Sequence, residues 1–189
     1  MAALLESRRA NSSKSRESLK MFADGSNAQH AVACISSLSF SKEVCVALSG
    51  SDAPSSLVNC ILCGMHGPAA EFAVTALINL STQRPETRGK LEHCGAIEAI
   101  TDMLAESQAA AKIEKCLALL SILSLSARSR DRVRQAGAIP HIVEKLSAAR
   151  PDANVTKAAL SCLLTLCHSN VKNKLEVSKV NTIVTQIVL

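Results

Sequence analysis

The sequence predicts an all-α chain, a solenoid of three-helix units that recur about every 42 residues. Three observations predict it. An internal repeat aligns without gaps, apolar residues recur at helical spacing, and the palette for a core contains almost no large rings.

The repeat is clearest when residues 76–104 are laid over 118–146, an offset of 42. Ala76-Leu77 falls on Ala118-Leu119, Arg88 on Arg130, Leu91 on Val133, and Gly95-Ala96-Ile97 on Gly137-Ala138-Ile139. Ile100 and Leu104 fall on Ile142 and Leu146. One period earlier the apolar places are held by Ile35, Leu38, Val58 and Leu62. Two periods after Lys90-Leu91-Glu92 stands Lys174-Leu175-Glu176, and Val184 and Val188 match Ile142 and Leu146. Around Ala159-Leu160 the match to Ala118-Leu119 reads as a one-residue shift, to an offset of 41. A period in this range belongs to helical repeats of two or three helices per unit, none of which buries its apolar face alone.

Within a unit, Phe72, Ala73, Ala76, Leu77 and Leu80 keep the i, i+1, i+4, i+5, i+8 spacing of one helix face. Each unit reads as a long helix (69–82, 111–125, 153–168), a short one (85–93, 129–135, 171–178) and a medium one (96–106, 138–148, 180–188). Pro85 suits the first turn of a short helix. Gly95 and Gly137 mark corners that need a residue without Cβ. Pro151-Asp152 and the Gly64, Gly67, Pro68 stretch mark unit boundaries. The fourth unit carries Lys179 where the corner glycine stood. The expected organisation is a polar, mobile tail over 1–27, with one short helix at 17–23, then a repeat domain over 28–189. Its units run 28–41 (partial), 42–82, 85–125, 129–168 and 171–189 (partial). Both ends read as incomplete units, the pattern of a piece of a longer protein or of a terminus that docks on something.

Of the 189 residues 48% are apolar, but the aromatics are only Phe22, Phe40 and Phe72. Leu, Ile, Val, Ala and Cys must therefore fill the core, and platforms that stack nucleic-acid bases on aromatic rings are excluded as an expectation. The net charge of +5 permits an acidic protein partner without requiring one. Eight scattered Cys and no secretory leader point to reduced, buried thiols in the cytoplasm or nucleus. No apolar run approaches the roughly 20 residues of a membrane span.

The stretches Ala76-Leu77-Ile78-Asn79-Leu80-Ser81, Thr87-Arg88 and Gly95-Ala96-Ile97 resemble the armadillo repeat family, as does Gly137-Ala138-Ile139-Pro140. The resemblance covers about residues 28–189. Residues 70–170, above all Glu114-Lys115-Cys116-Leu117-Ala118-Leu119-Leu120, look most like the armadillo region of plant U-box proteins. The resemblance implies a right-handed superhelix whose third, longest helices line a concave groove for extended peptides or partner segments. It implies a protein-binding scaffold or adaptor, as in the substrate-binding part of a ubiquitin-ligase-like protein. This chain has no room for the U-box itself, so ligase activity is expected only through a U-box outside it. A nuclear transport adaptor is the lesser alternative. The Asn rung of import receptors is met by Asn79 but otherwise by Ser37, Ser121 and Cys162, and the Trp rung by Ala33, Thr75, Leu117 and Ala158.

Two candidate surfaces follow. The groove row is Thr75, Asn79, Leu117, Ser121, Ala158 and Cys162, weakly polar and nearly uncharged. A basic ridge on the short helices is formed by Arg88, Arg130 and Lys172 in one register and Lys90, Arg132 and Lys174 in another, suited to acidic or phosphorylated segments. Arg and Lys in the first register are also common structural residues of the family. Cys60-x-x-Cys63-x-x-His66 has the outline of half a zinc site, but no second Cys/His pair of suitable spacing follows, so it reads as helix packing. Cys162 and Cys167 receive the same reading. No nucleophile elbow, P-loop or His-Glu-x-x-His motif occurs, and the adjacent His93 and Cys94 do not share a helix face. The expectation is a non-catalytic monomer without cofactor or metal.

Overall fold

A computed structural model describes residues 26–62, 68–147 and 152–188, with side chains placed over 27–62, 68–147 and 152–180. Among the described residues it contains eleven helices and no strand. They are α1 (Ser26–Leu38), α2 (Lys42–Gly50), α3 (Ala53–Leu62), α4 (Pro68–Gln83), α5 (Thr87–His93), α6 (Ala96–Glu106), α7 (Ala110–Leu123), α8 (Ala127–Gln135), α9 (Ala138–Leu146), α10 (Ala153–Cys167) and α11 (Val171–Val188). The expected short helix at 17–23, most of the tail, and Cys63, Gly64, His66, Gly67 and Pro151 lie outside the described residues.

Two shorter helices followed by a long one repeat through α10, with α8 and α9 equal at nine residues each. Successive long helices, α1, α4, α7 and α10, pack side by side and run the length of the molecule. Polar caps start several elements. Ser41 accepts from the Val44 N–H at 3.4 Å, Ser126 from the Ser129 N–H at 3.0 Å, and Asp152 from the Asn154 and Val155 N–H groups at 2.8 and 3.3 Å. Each satisfies donors that a helix start leaves open. The two corner glycines are left-handed, with φ of 81° at Gly95 and 78° at Gly137. This is the conformation in which a Cβ is penalised.

Expected helix bounds are corrected at three places. Pro85 lies in the turn ahead of α5, which begins only at Thr87. Helix α8 begins two residues before the expected 129, because Ser126 supplies the cap. The largest departure is α11, which runs unbroken where a short and a medium helix were expected. Lys179 stands where the earlier units have their left-handed glycine, so the backbone has no corner there. Leu175, which the 42-residue period sets against the wholly buried Leu91 and Val133, is 57% exposed, and on α11 the core-facing places are held by Asn173, Val177 and Val180.

The core is one continuous cluster of aliphatic residues shared between units, the arrangement of a solenoid in which each unit leans on its neighbours. Ile113, Leu117, Leu120 and Ser124 form a buried stripe on α7 and its C-terminal cap. The buried stripe of α10 is Val155, Ala159, Cys162 and Leu166, 42 residues on at every place. The one-residue shift expected near Ala159-Leu160 is therefore absent. The 42-residue register holds from α7 to α10, whereas from α4 to α7 the long helices are offset by 43, with Ala70, Ala73, Val74, Leu77 and Leu80 in the buried places of Ile113, Cys116, Leu117, Leu120 and Leu123.

Candidate functional site

The long helices present a shared outer face, and the restored register decides which residues reach it. Thr75, Asn79, Ser121 and Ala158 are half-buried on that face. Leu117 and Cys162 are wholly buried and belong to the core stripe, so they leave the predicted groove row. Cys162 was reached by the 41-residue offset, which burial overrules, and Leu117 by a 42-residue step from Thr75, whose half-buried place falls on Ala118. Cross-unit hydrogen bonds run along the face. The Asn79 amide donates to Ser39 Oγ at 2.9 Å, and the Ser121 and Thr165 hydroxyls lie 3.2 Å apart. Thr75 Oγ1 instead donates back to the Glu71 carbonyl at 2.8 Å within its own helix.

The two junctions between the long helices differ. Between α4 and α7, Lys115 Nζ meets Glu71 Oε2 at 3.2 Å, and Cys116, Leu119 and Leu123 are buried. One period on, the corresponding places on α10 are Lys157, Ala158, Ser161 and Thr165. Two leucines, each worth about 1.5–3 kcal/mol when buried, are thus replaced by hydroxyl residues, and a cysteine by alanine. The shortfall in side-chain volume leaves a cleft of about 370 Å³ between α7 and α10. Glu114, Ala118, Ser121 and Ile122 line it from α7, and Asn154, Lys157, Ala158 and Ser161 from α10. Of the residues read from sequence, Ser121 and Ala158 take part. The rest become legible once the 42-residue register is kept.

The predicted basic ridge is largely engaged in the fold. Arg88 Nε donates to the Ser81 carbonyl at 2.9 Å, and Arg130 Nη1 to the Ser124 and Leu125 carbonyls at 3.3 and 3.2 Å. Each therefore closes the C-terminus of the preceding long helix, whose last carbonyls have no intrahelical partner. Lys90 Nζ donates to the Ser49 carbonyl at 2.7 Å, and Arg132 Nη1 to the Glu92 carbonyl at 2.7 Å. Both span two units, from one short helix to the C-terminal end of the previous short helix. Arg132 also pairs with Glu98 at 2.9 Å. Lys172 and Lys174 are exposed on α11.

Burial pushes the Cys116 and Cys162 thiols up to about 12, so both are poor nucleophiles at neutral pH. Cys45 is also raised by burial, and its thiol donates to the Ser39 carbonyl at 3.0 Å. Among the described residues no group of three or more His, Cys, Asp or Glu is placed to hold a metal ion, and no helix is long and apolar enough to cross a membrane.

Fold and face together define an α-solenoid of armadillo repeats. Comparison with solved structures supports that class. A designed armadillo repeat protein in complex with the peptide (KR)4 is similar to this chain with a TM-score of 0.67 and 19% identity, over 80% of this chain and 62% of its own. A computationally designed armadillo repeat protein for modular peptide recognition gives 0.71 and 20%, over 81% and 63%. An engineered protein gives 0.71 and 19%, over 84% and 65%. The chain thus spans a little under two thirds of each. No protein-family model matches the sequence, and no curated protein matches it.

Proposed function

We propose that this chain is a protein-interaction scaffold that receives extended segments of partner proteins along α4, α7 and α10. The observation that carries the reading is the face of adjacent long helices, with half-buried Thr75, Asn79, Ser121 and Ala158, opening into a cleft between two units. The solved relatives in fold, described as peptide-binding or designed for peptide recognition, support it. The finer reading rests on the resemblance of residues 70–170 to plant U-box proteins. On it, the chain acts as a non-catalytic monomer in the cytoplasm or nucleus, holding substrates for a U-box ligase domain outside it. The exposed Lys172 and Lys174 remain available for an acidic or phosphorylated partner, and the engaged Arg88, Lys90, Arg130 and Arg132 argue against a ridge of six free charges.

A phage-displayed random dodecapeptide library, selected on the folded chain, tests the groove. Enriched peptides should shift backbone amide resonances on α4, α7 and α10. Failure to enrich any peptide above an unrelated helical protein, or shifts confined to the short helices, would remove the reading.

A further inference from the structure

We infer that the cleft between α7 and α10 is a side-chain pocket. It selects an extended segment of mixed charge that inserts one aliphatic residue. The inference rests on the groove reading above and adds the chemistry of what is bound.

The cleft exists because one junction lacks what fills the other. At the α4–α7 junction Cys116, Leu119 and Leu123 are buried and the Lys115–Glu71 pair closes the edge. At the α7–α10 junction their counterparts are Ala158, Ser161 and Thr165, which leave the cleft of about 370 Å³. An aliphatic side chain restores what these residues omit: Ala118, Ile122 and Ala158 offer it an apolar wall. A whole helix is disfavoured, because Ser121 and Thr165 meet at 3.2 Å and bridge the two long helices.

The charges point to the neighbours of that aliphatic residue. Lys157 repeats Lys115 and Glu114 holds the place of Glu71 in the burial pattern, yet the two do not close the edge of the cleft as Lys115 and Glu71 do. Among the described residues the ion pairs lie elsewhere, and neither Lys157 nor Glu114 takes part in one. The cleft is therefore lined by one exposed cation and one exposed anion, with Asn154 and Ser161 able to exchange hydrogen bonds with an extended backbone. A carboxylate beside the inserted residue suits Lys157, and a basic group suits Glu114. A uniformly acidic or uniformly basic segment meets one like charge.

The experiment uses the full chain and peptides taken from the dodecapeptide selection. Each peptide is titrated against the wild type, Ala158→Leu, which fills the cleft, and Lys157→Glu, an exposed substitution that keeps the fold testable. Circular dichroism confirms that each variant is folded. The expected result is an aliphatic residue with an acidic neighbour among the selected peptides. Its replacement by Ser, or Ala158→Leu in the protein, should weaken binding at least tenfold, since burying such a side chain is worth about a tenfold factor or more. Lys157→Glu should exchange the preference for an acidic neighbour for a basic one. Peptides that bind the groove with equal affinity to wild type and Ala158→Leu would overturn the cleft and leave the groove reading standing. Enrichment of no peptide would remove both.

Discussion

The guanidinium of Arg132 donates to the backbone carbonyl of Glu92, 2.7 Å away and 40 residues earlier. Lys90 makes the same kind of bond to Ser49 at 2.7 Å, one unit before. These bonds fasten each short helix to the end of the previous one, using a cation where a helix C-terminus carries partial negative charge. Removing a charged donor from a part-buried carbonyl costs about 1–2 kcal/mol. Arg132→Met should therefore lower stability by about 1–2 kcal/mol in urea unfolding, and Lys90→Met by about 1 kcal/mol. An effect near zero in both would reduce the ridge to solvated charge.

The glycines predict changes of opposite sign. Gly137 has φ of 78° and nothing within 4 Å of an added Cβ, so Gly137→Ala meets only backbone strain, about 1–2 kcal/mol destabilising. Gly89 lies inside α5 with equally open surroundings and no left-handed angle. Gly89→Ala should stabilise the chain by about 0.5–1 kcal/mol, read as a raised thermal midpoint.

Thiol chemistry should divide the cysteines. The Cys116 and Cys162 thiols are pushed from 9.0 up to about 12 because burial disfavours the thiolate. The folded chain holds these protons more tightly than the unfolded chain. Their contribution to stability is thus complete below pH 9 and is lost as pH rises towards about 12. An aromatic disulfide reagent at pH 8 should label the exposed Cys34 quickly. Cys116 and Cys162 should react only on unfolding. Rapid labelling of either in the native chain would contradict their burial.

Asn173 is wholly buried, and its amide donates to the Arg130 carbonyl at 3.2 Å and the Leu166 carbonyl at 2.9 Å. It ties α11 both to the end of α10 and to α8. Asn173→Ala should cost about 2 kcal/mol, because two carbonyls lose a donor at once. Hydrogen exchange should quicken in α11 before it does in α7. Uniform exchange along the chain would count against that local role.

The alternation of helix lengths, the left-handed corners and the aliphatic core were legible because each follows from local chemistry repeated at a fixed interval. The groove was only half legible. Thr75, Asn79, Ser121 and Ala158 are half-buried on the long helices, while Leu117 and Cys162 lie in the core, each one residue of register from an accessible place. Small residues look alike in sequence, and only burial separates Ala158 from Ala159. The basic rows were legible as periodic charge but not as helix closure, since their carbonyl partners sit up to 41 residues away and backbone atoms carry no sequence signature. At Lys179 the period predicts a corner and the residue offers none, and the unbroken α11 follows the residue.

The straight run of α11 also gives the molecule a direction of failure. Leu175 stays 57% exposed where Leu91 and Val133 are enclosed, and buried Asn173 ties α11 down through two hydrogen bonds to carbonyls. Pulled along its axis, the chain should release α11 before α7, a graded release in place of a single rupture.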